Sequence, residues 1–239
     1  MTPDSRFFAL PWYRQFLLRL LPHFWLKAIG TTVFMTVFFV AYLHLLKNPA
    51  RDVIEMPLIV LDRWIPFTAA ALPAYLSLWL YTSLPPALML DRRELVRYGL
   101  AIGAVCLFGL LCFYLFPTAV PPANVDWSSY PGFDFLKKID SAGNAFPSLH
   151  VASAVFSGVW LHRQLREMGA GVGALVANLL WGTAIVVSTL ATKQHVALDL
   201  IAGLILGGLG AWLSLRWMPS SILGRQSVAG RSAMASERV

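Results

Sequence analysis

The chain has 239 residues, of which 57% are hydrophobic and only 13% are charged, and its formal net charge is +7. Soluble domains contain about 25% charged residues, so this composition excludes an ordinary soluble domain and indicates an integral membrane protein. The basic excess falls on an apolar chain, where it indicates contact with anionic lipid headgroups rather than with nucleic acid.

Residues 1–25 mix aromatic residues and leucines with spaced arginines, which predicts a helix that lies in the membrane interface. Six apolar stretches follow, and they lie near residues 26–46, 65–84, 98–117, 148–162, 170–190 and 196–215. Because about 20 apolar residues cross a bilayer core of about 30 Å, we expect an all-α bundle of six spans over residues 26–216. Residues 217–239 are rich in Ser, Ala, Gly and Arg, which predicts a disordered tail.

The positive charges predict the orientation of this bundle. If the N-terminus is cytoplasmic, thirteen of the nineteen lysines and arginines fall in inside segments and six fall outside. The positive-inside rule therefore places both termini in the cytoplasm, together with Arg92, Arg93 and Arg163. The chain contains no Asn-x-Ser/Thr sequon, which favours a multi-pass protein of a bacterial inner (plasma) membrane.

The third and fourth spans are joined by the longest connection, about residues 117–146. It contains aromatic residues, prolines and three aspartates. Long connections in compact domains are functional segments or disordered linkers. The composition of this one is unlike that of a disordered linker, so we expect an ordered cap on the outer face of the membrane.

The sequence NAFPSLH, residues 144–150, ends this cap and opens the fourth span. The free N–H groups in the first turn of that helix, near Ser148, Leu149 and His150, would form an anion site at the positive end of the helix dipole. The alternative is a common Ser or Asn helix cap followed by an interfacial histidine. The segment alone does not distinguish the two interpretations.

The sequence KQHVALD, residues 193–199, opens the sixth span in the same way. His195 and Asp199 are four residues apart, so a helix would place them on one face. The carboxylate can then orient the imidazole and fix its tautomer, as the orienting residue does beside a catalytic histidine. A carboxylate at the edge of the hydrocarbon is costly unless it has a partner, and a purely structural His–Asp pair would satisfy the same pattern.

The topology brings both segments to one side of the membrane. The chain crosses inward after His150 and outward again before His195, so both histidines are expected beside the cap, where they favour chemistry on an anion. A transporter with a buried His–Asp pair is one alternative. A metal-dependent hydrolase is another, but Asp126, Asp134 and Asp140 lack the spacing of a compact metal site. We therefore expect no metal and no other cofactor.

Two segments, FPSLH at 146–150 and STLATKQHVALD at 188–199, resemble signatures of the type-2 phosphatidic acid phosphatase superfamily. The closer likeness is to its inositol phosphorylceramide synthase-like branch, in which Leu often replaces the Gly of Pro-Ser-Gly-His and KQH occurs in the second signature. LDRWIPF at 61–67 is also similar to that branch. The resemblance covers about residues 60–210.

The resemblance implies a metal-independent phosphoryl transfer. His195 would attack phosphorus and form a phosphohistidine, Asp199 would orient it, and His150 would protonate the leaving oxygen. Ser148 and the backbone N–H groups around Leu149 would hold the phosphoryl oxygens. Such a reaction depends chiefly on positioning and on stabilisation of charge.

The sequence departs from the family pattern at two places. The family's Lys-x6-Arg-Pro signature is absent, and Thr189 occupies the position at which the wider family has arginine. A transferring phosphoryl group still requires cations. We expect Lys193, two residues from His195, to replace one of them, and Lys137 and Lys138 to contribute if the cap folds over the site.

The expected function is a lipid phosphate phosphatase that acts on the non-cytoplasmic face, with a phospholipid or polyprenyl phosphate as substrate. Transfer of a phospho-headgroup to a lipid or polyol hydroxyl is the first alternative. A non-enzymatic transporter or lipid-binding membrane protein is the second. The sequence determines neither the particular lipid nor the oligomeric state.

Overall fold

The computed structural model describes residues 5–133 and 144–217, and these residues form a mostly helical bundle. The helices in chain order are α1 Ser5–Phe8, α2 Trp12–Arg19, α3 Phe24–Lys47, α4 Val60–Trp64, α5 Leu72–Leu76, α6 Leu78–Ala87, α7 Arg92–Leu115, α8 Leu149–Glu167, α9 Val172–Ala191 and α10 Ala197–Trp217. Short 3-10 turns cover Ala69–Ala71, Trp127–Ser129 and Pro131–Phe133. A two-residue strand β1, Ile54–Glu55, pairs in parallel with β2, Thr118–Ala119.

Four helices of the described chain, α3, α7, α9 and α10, are long and apolar enough to cross a membrane. The chain is accordingly a multi-pass membrane protein. The other two expected spans, near residues 65–84 and 148–162, correspond to a shorter broken element and to a less apolar helix. The count of six spans therefore stays a prediction.

The expected span near residues 65–84 is not one continuous helix. Helix α5, with Pro73 in its first turn, gives way to α6 at Ser77. Pro85 and Pro86 then lie inside the end of α6. Proline lacks an N–H and fixes φ, which suits Pro73 to the first turn of α5 and places Pro85 and Pro86 where α6 ends. Apolar composition therefore predicted the presence of this element but not its break.

Helix α8 lies at the centre of the bundle and packs against α6, α7, α9 and α10. Helix α10 approaches α8 closely at Gly203 and Gly207. A Cβ atom on these glycines would clash with the backbone carbonyls of Ser148 and Ala152 respectively. Small residues four apart permit such close contact between helices in a membrane. The packing brings the starts of α8 and α10 together. We call this end of the bundle the site end, and the opposite end, where α7 begins, the arginine end.

Helix α3 is hydrogen-bonded to the rest of the chain near its two ends. Only Lys27 and one leucine near the opposite end are buried among its residues. The Lys27 ammonium donates to the backbone carbonyls of Arg19 at 2.6 Å and Ala87 at 2.7 Å. At the other end, Nδ2 of Asn144 donates to the backbone carbonyl of Tyr42 at 2.8 Å. A cavity lies between α3 and the bundle, and Phe34, Phe38 and Phe39 of α3 pack on the bundle beside it.

Helix α2 turns two of its polar side chains inward. Gln15 and Arg19 are 3% and 1% exposed, whereas Leu17 and Leu18 are 62% and 41% exposed. An apolar outer face of this kind suits contact with lipid. The interfacial role expected for residues 1–25 stays a prediction, and residues 218–239 of the expected tail lie outside the described residues.

The connection between α7 and α8 is described near its two ends. Phe67, which follows α4, packs edge-on against Trp127, Tyr130 and Phe133, with ring centroids 5.0–5.3 Å apart. The first part of the connection is therefore packed on the segment that leads to α5. The expected cap over the outer face stays a prediction, because its middle part lies outside the described residues.

Candidate active site

His195 and Asp199 form a hydrogen-bonded pair at the start of α10. Nδ1 of His195 lies 3.0 Å from Oδ2 of Asp199, and the Asp199 side chain is 0% exposed. Oδ1 of Asp199 accepts the backbone N–H of Val196 at 3.1 Å. The expected contact is present, but the expected helical geometry is wrong, because His195 precedes α10 and only Asp199 lies in its first turn. The positive end of a helix dipole favours a carboxylate at that position.

The pairing determines which nitrogen of His195 can react. A carboxylate accepts a hydrogen bond, so Nδ1 carries the proton in the neutral ring and Nε2 carries the lone pair. An imidazole held in this tautomer can serve as a nucleophile or as a base.

The turn before His195 is closed by backbone hydrogen bonds at the end of α9. The N–H of Lys193 donates to the carbonyl of Leu190 at 3.1 Å, and the N–H groups of Gln194 and His195 donate to the carbonyl of Thr189 at 3.1 and 3.2 Å. Lys193 has a left-handed backbone, with φ of 56°, as residues that terminate a helix often do. Thr189 thus supports the position of His195 through its backbone.

Three long-range hydrogen bonds join this part of the chain to α4 and to Ile65, the residue that follows it. The Lys193 ammonium donates to the backbone carbonyls of Asp62, at 3.1 Å, and Ile65. Asp62 is 9% exposed, and its Oδ1 accepts the backbone N–H of Ala197 at 2.7 Å. Helix α4 therefore holds the chain on both sides of His195. An ammonium has three donors, so the predicted phosphate contact of Lys193 would use the third.

Ser148 is the N-cap of α8. Its Oγ accepts the backbone N–H of Val151 at 3.1 Å, and its own N–H donates to the backbone carbonyl of Asp199 at 3.0 Å. The structure thus shows the helix-cap interpretation, and a phosphate contact of Ser148 stays a prediction. The N–H groups of Leu149 and His150 follow in the first turn, where a helix offers them no internal acceptor. The Ser148–Asp199 bond joins the two motif segments directly.

His150 lies next to His195, with ring centroids 6.4 Å apart. Its ring stacks on Tyr75, with centroids 4.1 Å apart and an interplanar angle of 18°, and it meets Trp79 edge-on. The bend between α5 and α6 therefore positions this histidine. Nε2 of His150 is buried and has no hydrogen-bond partner within residues 5–133 and 144–217. A ring nitrogen in this setting suits proton transfer with a bound molecule.

A cavity of about 820 Å³ begins at the two histidines and continues between α3, α6, α7 and α8. Asn144 and Gln194 also line its site end. Oδ1 of Asn144 and Oε1 of Gln194 are buried and find no hydrogen-bond partner in the described part of the chain. Most of the remaining lining is apolar. A cavity with one polar end and a long apolar part matches the shape of a lipid with a polar headgroup.

The other candidate residues are not brought to this site by the described structure. Lys137 and Lys138 lie outside the described residues, as do Asp134 and Asp140, so their predicted roles stay untested. Asp126 accepts a hydrogen bond from a serine of its own turn at 3.0 Å. Within the described ranges, no group of three or more His, Cys, Asp or Glu side chains could hold a metal ion.

Sequence reasoning missed Asp62, Tyr75 and Gln194 as residues of the site. The signal for Asp62 was a lone acid in the apolar segment LDRWIPF, which entered only as part of a resemblance. Gln194 lies between two residues that were singled out, and its polarity at a span end was the available signal. Nothing in the sequence distinguishes Tyr75 from the other aromatic residues of its segment.

Comparison with known proteins covers the same region. A family model described as the PAP2 superfamily matches residues 62–213, which is more than half of the chain and includes the site residues from Asp62 to Asp199. No curated protein and no solved structure matches the chain. The match confirms the resemblance to the type-2 phosphatidic acid phosphatases: the chain belongs to the PAP2 superfamily.

Proposed function

We propose that the protein is a membrane lipid phosphate phosphatase whose nucleophile is His195. The observation that carries the proposal is the position of the His195–Asp199 pair and of His150 at the polar end of a long apolar cavity. A lipid phosphate has the same distribution of polarity, with an anionic group at one end of a hydrocarbon chain. Membership of the PAP2 superfamily supports a phosphatase or phosphotransferase type of function.

The reaction would proceed in two steps. Nε2 of His195 attacks phosphorus, the bond between phosphorus and the lipid oxygen breaks, and His150 gives its proton to that oxygen. Water then attacks the phosphohistidine while His150 takes a proton from it. Inorganic phosphate leaves, and His195 returns to its starting form with Asp199 still at Nδ1.

The phosphoryl oxygens need donors and positive charge in both steps. The first-turn N–H groups of Leu149 and His150 and the dipole of α8 supply the donors. The third donor of the Lys193 ammonium supplies a cation in this proposal, and Lys137 and Lys138 add to it from the connection. Ser148 supports the arrangement as the N-cap of α8.

Phosphoryl transfer to an alcohol is a second candidate, and one observation favours it. The carbonyl oxygens of Asn144 and Gln194 lie in the cavity beside the histidines and have no hydrogen-bond partner among the described residues. Both are hydrogen-bond acceptors, and a hydroxyl group is a donor that would satisfy them. An acceptor alcohol held there would replace water in the second step.

The proposal is tested by measuring phosphate release from purified protein in vesicles that contain phosphatidic acid, phosphatidylglycerol phosphate or a prenyl diphosphate. His195→Ala and His195→Asn should both reduce turnover to background, since neither side chain can attack phosphorus. Asp199→Asn should lower it by about 100- to 10,000-fold through loss of tautomer control. Added glycerol should yield a phosphorylated alcohol only if transfer competes with hydrolysis.

His44→Ala is the matched control, because His44 is an exposed histidine near the site end of α3 and is not part of the site. It should keep wild-type activity. A radioactive substrate should leave an acid-labile, base-stable label on the wild type and none on His195→Ala. If folded His195→Ala keeps a tenth of the activity, the phosphohistidine mechanism is wrong.

A further inference from the structure

The cavity extends well beyond the catalytic groups. Its lining includes Tyr42 near the site end of α3 and Lys27 near the arginine end. These residues are fifteen positions apart (42 minus 27), which corresponds to about 22 Å along a helix. One leaflet of the bilayer core is about 15 Å thick, half of the total. A cavity of this length passes the middle of the membrane.

Two glycines leave the far part of the cavity open. Gly30 of α3 and Gly99 of α7 both line it, and a Cβ atom on either would have no other atom within 4 Å. Gly30 is twelve positions from Tyr42 (42 minus 30), or about 18 Å along α3. A side chain at either position would therefore occupy open space at the far part of the cavity without clashing with its described neighbours.

The far part of the cavity contains a charge that is already satisfied. Lys27 is the one Lys, Arg, Asp or Glu among the described residues that line the cavity. Its ammonium is bound to the carbonyls of Arg19 and Ala87 at 2.6 and 2.7 Å, so it ends the apolar part. Between Lys27 and the histidines, one wall of the cavity is formed by the middle of α3, which includes Phe34 and Phe38.

We propose that this cavity binds the hydrocarbon chain of the substrate lipid and that Gly30 and Gly99 set the longest chain that it accepts. The inference rests on the proposed function and narrows its substrate class to lipid phosphates with a chain longer than one leaflet. Lipid tails are as apolar as the lining, so a chain gains little free energy by leaving the bilayer. The cavity therefore discriminates between substrates of different chain length through steric fit and van der Waals contact along its wall.

The test compares two substrates with the same headgroup, geranyl phosphate and a polyprenyl phosphate long enough to pass the midplane. Gly30→Leu and Gly99→Leu should lower kcat/KM for the long substrate by about tenfold or more, as overfilling a packed space does. They should leave kcat/KM for geranyl phosphate nearly unchanged. Gly208→Leu is the control, because a Cβ atom there also meets nothing and Gly208 does not line the cavity. Equal losses on both substrates, or no loss on the long one, would overturn the proposal.

A binding measurement separates this inference from the proposed function. A polyprenyl phosphate with a photoreactive group at the end of its chain is cross-linked to His195→Ala protein in vesicles, with and without excess unlabelled polyprenyl phosphate. We expect competed cross-links near Gly30 and Gly99, and loss of these cross-links in the Gly99→Leu form. If such cross-links form but the wild type releases no phosphate, the proposed function is wrong and the chain site stands. Cross-links that are not competed, or that lie only at the site end, would overturn the chain site whatever the activity.

Discussion

Lys193 combines an unfavourable backbone conformation with a side chain that makes two hydrogen bonds. Its φ of 56° lies in the left-handed region, which costs a residue with a Cβ atom about 1–2 kcal/mol relative to glycine. Its ammonium nevertheless bonds two carbonyls of α4. The lysine side chain therefore makes structural contacts at this strained position, and its contact with phosphate stays a prediction.

Lys193→Gly and Lys193→Ala should separate the two contributions. Both lack the ammonium, so both should lower turnover by about 10- to 100-fold, the effect of one charge-assisted hydrogen bond. Lys193→Gly should unfold at a higher temperature than Lys193→Ala, because glycine adopts this backbone without strain. Phosphate release and thermal unfolding in detergent measure the two effects. Wild-type turnover in Lys193→Gly would show that the ammonium has no role in catalysis.

The short helix α4 supports the turn that contains His195. Its Asp62 accepts the N–H of Ala197 at the start of α10. The carbonyls of Asp62 and of Ile65, the C-cap of α4, accept from Lys193 just after α9. His195 lies in the short segment between these two attached residues, Lys193 and Ala197. A defect in α4 should therefore affect the reaction although α4 makes no contact with the phosphate in the proposed mechanism.

Asp62→Asn should keep a similar shape but replace one acceptor oxygen by a donor group, which cannot accept an N–H. We expect kcat to fall by about tenfold, as loss of a hydrogen bond to a charged group predicts, with little change in KM. Asp52→Asn, an exposed aspartate before the first strand, should behave as wild type. An effect of Asp62→Asn on KM alone would argue against a positioning role.

The contact between α8 and α10 offers a prediction with an adjacent control. A Cβ atom at Gly207 would clash with the carbonyl of Ala152, whereas one at Gly208 would meet nothing. Gly207→Leu should separate the two helices and reduce the yield of folded, monodisperse protein in detergent. Gly208→Leu should give wild-type yield. Similar behaviour of both variants would mean that this helix pair is not closely packed in the membrane.

The helices could be predicted from the sequence more closely than the contacts between them. The stretch near 170–190 corresponds to Val172–Ala191, because a membrane span has a marked composition. Helix α7 begins at Arg92, six residues before the expected span, because charged residues capped by Asp91 form its first turn.

Within the candidate site, the local contact could be predicted from the sequence and the distant contacts could not. The His195–Asp199 contact is local and was expected from its spacing, although His195 itself precedes the helix that contains Asp199. The contacts of Asp62 with Lys193 and Ala197 join residues 131 and 135 positions apart and use backbone groups. Such contacts leave no periodic signal in a single sequence.

At the scale of the whole molecule, the charge distribution predicts that the site end faces outward. Cysteine is introduced at Asp52, beside the site end, or at Gly171, in the turn between α8 and α9, after Cys106 and Cys112 are replaced by alanine. An impermeant maleimide should label Asp52→Cys in intact cells and Gly171→Cys only after the membrane is permeabilised. The reverse pattern would place the reaction on the cytoplasmic side.

The small buried fraction of α3 has a consequence for how fast a lipid could be exchanged. Hydrogen bonds hold this helix at Lys27 and Tyr42, and its middle is scarcely buried. A small sideways bow of the middle would connect the cavity with the surrounding lipid along its whole length. A chain could then enter and leave broadside, without being threaded end-first past the histidines. Under that arrangement, exchange would follow lateral diffusion in the bilayer and would depend little on the length of the chain.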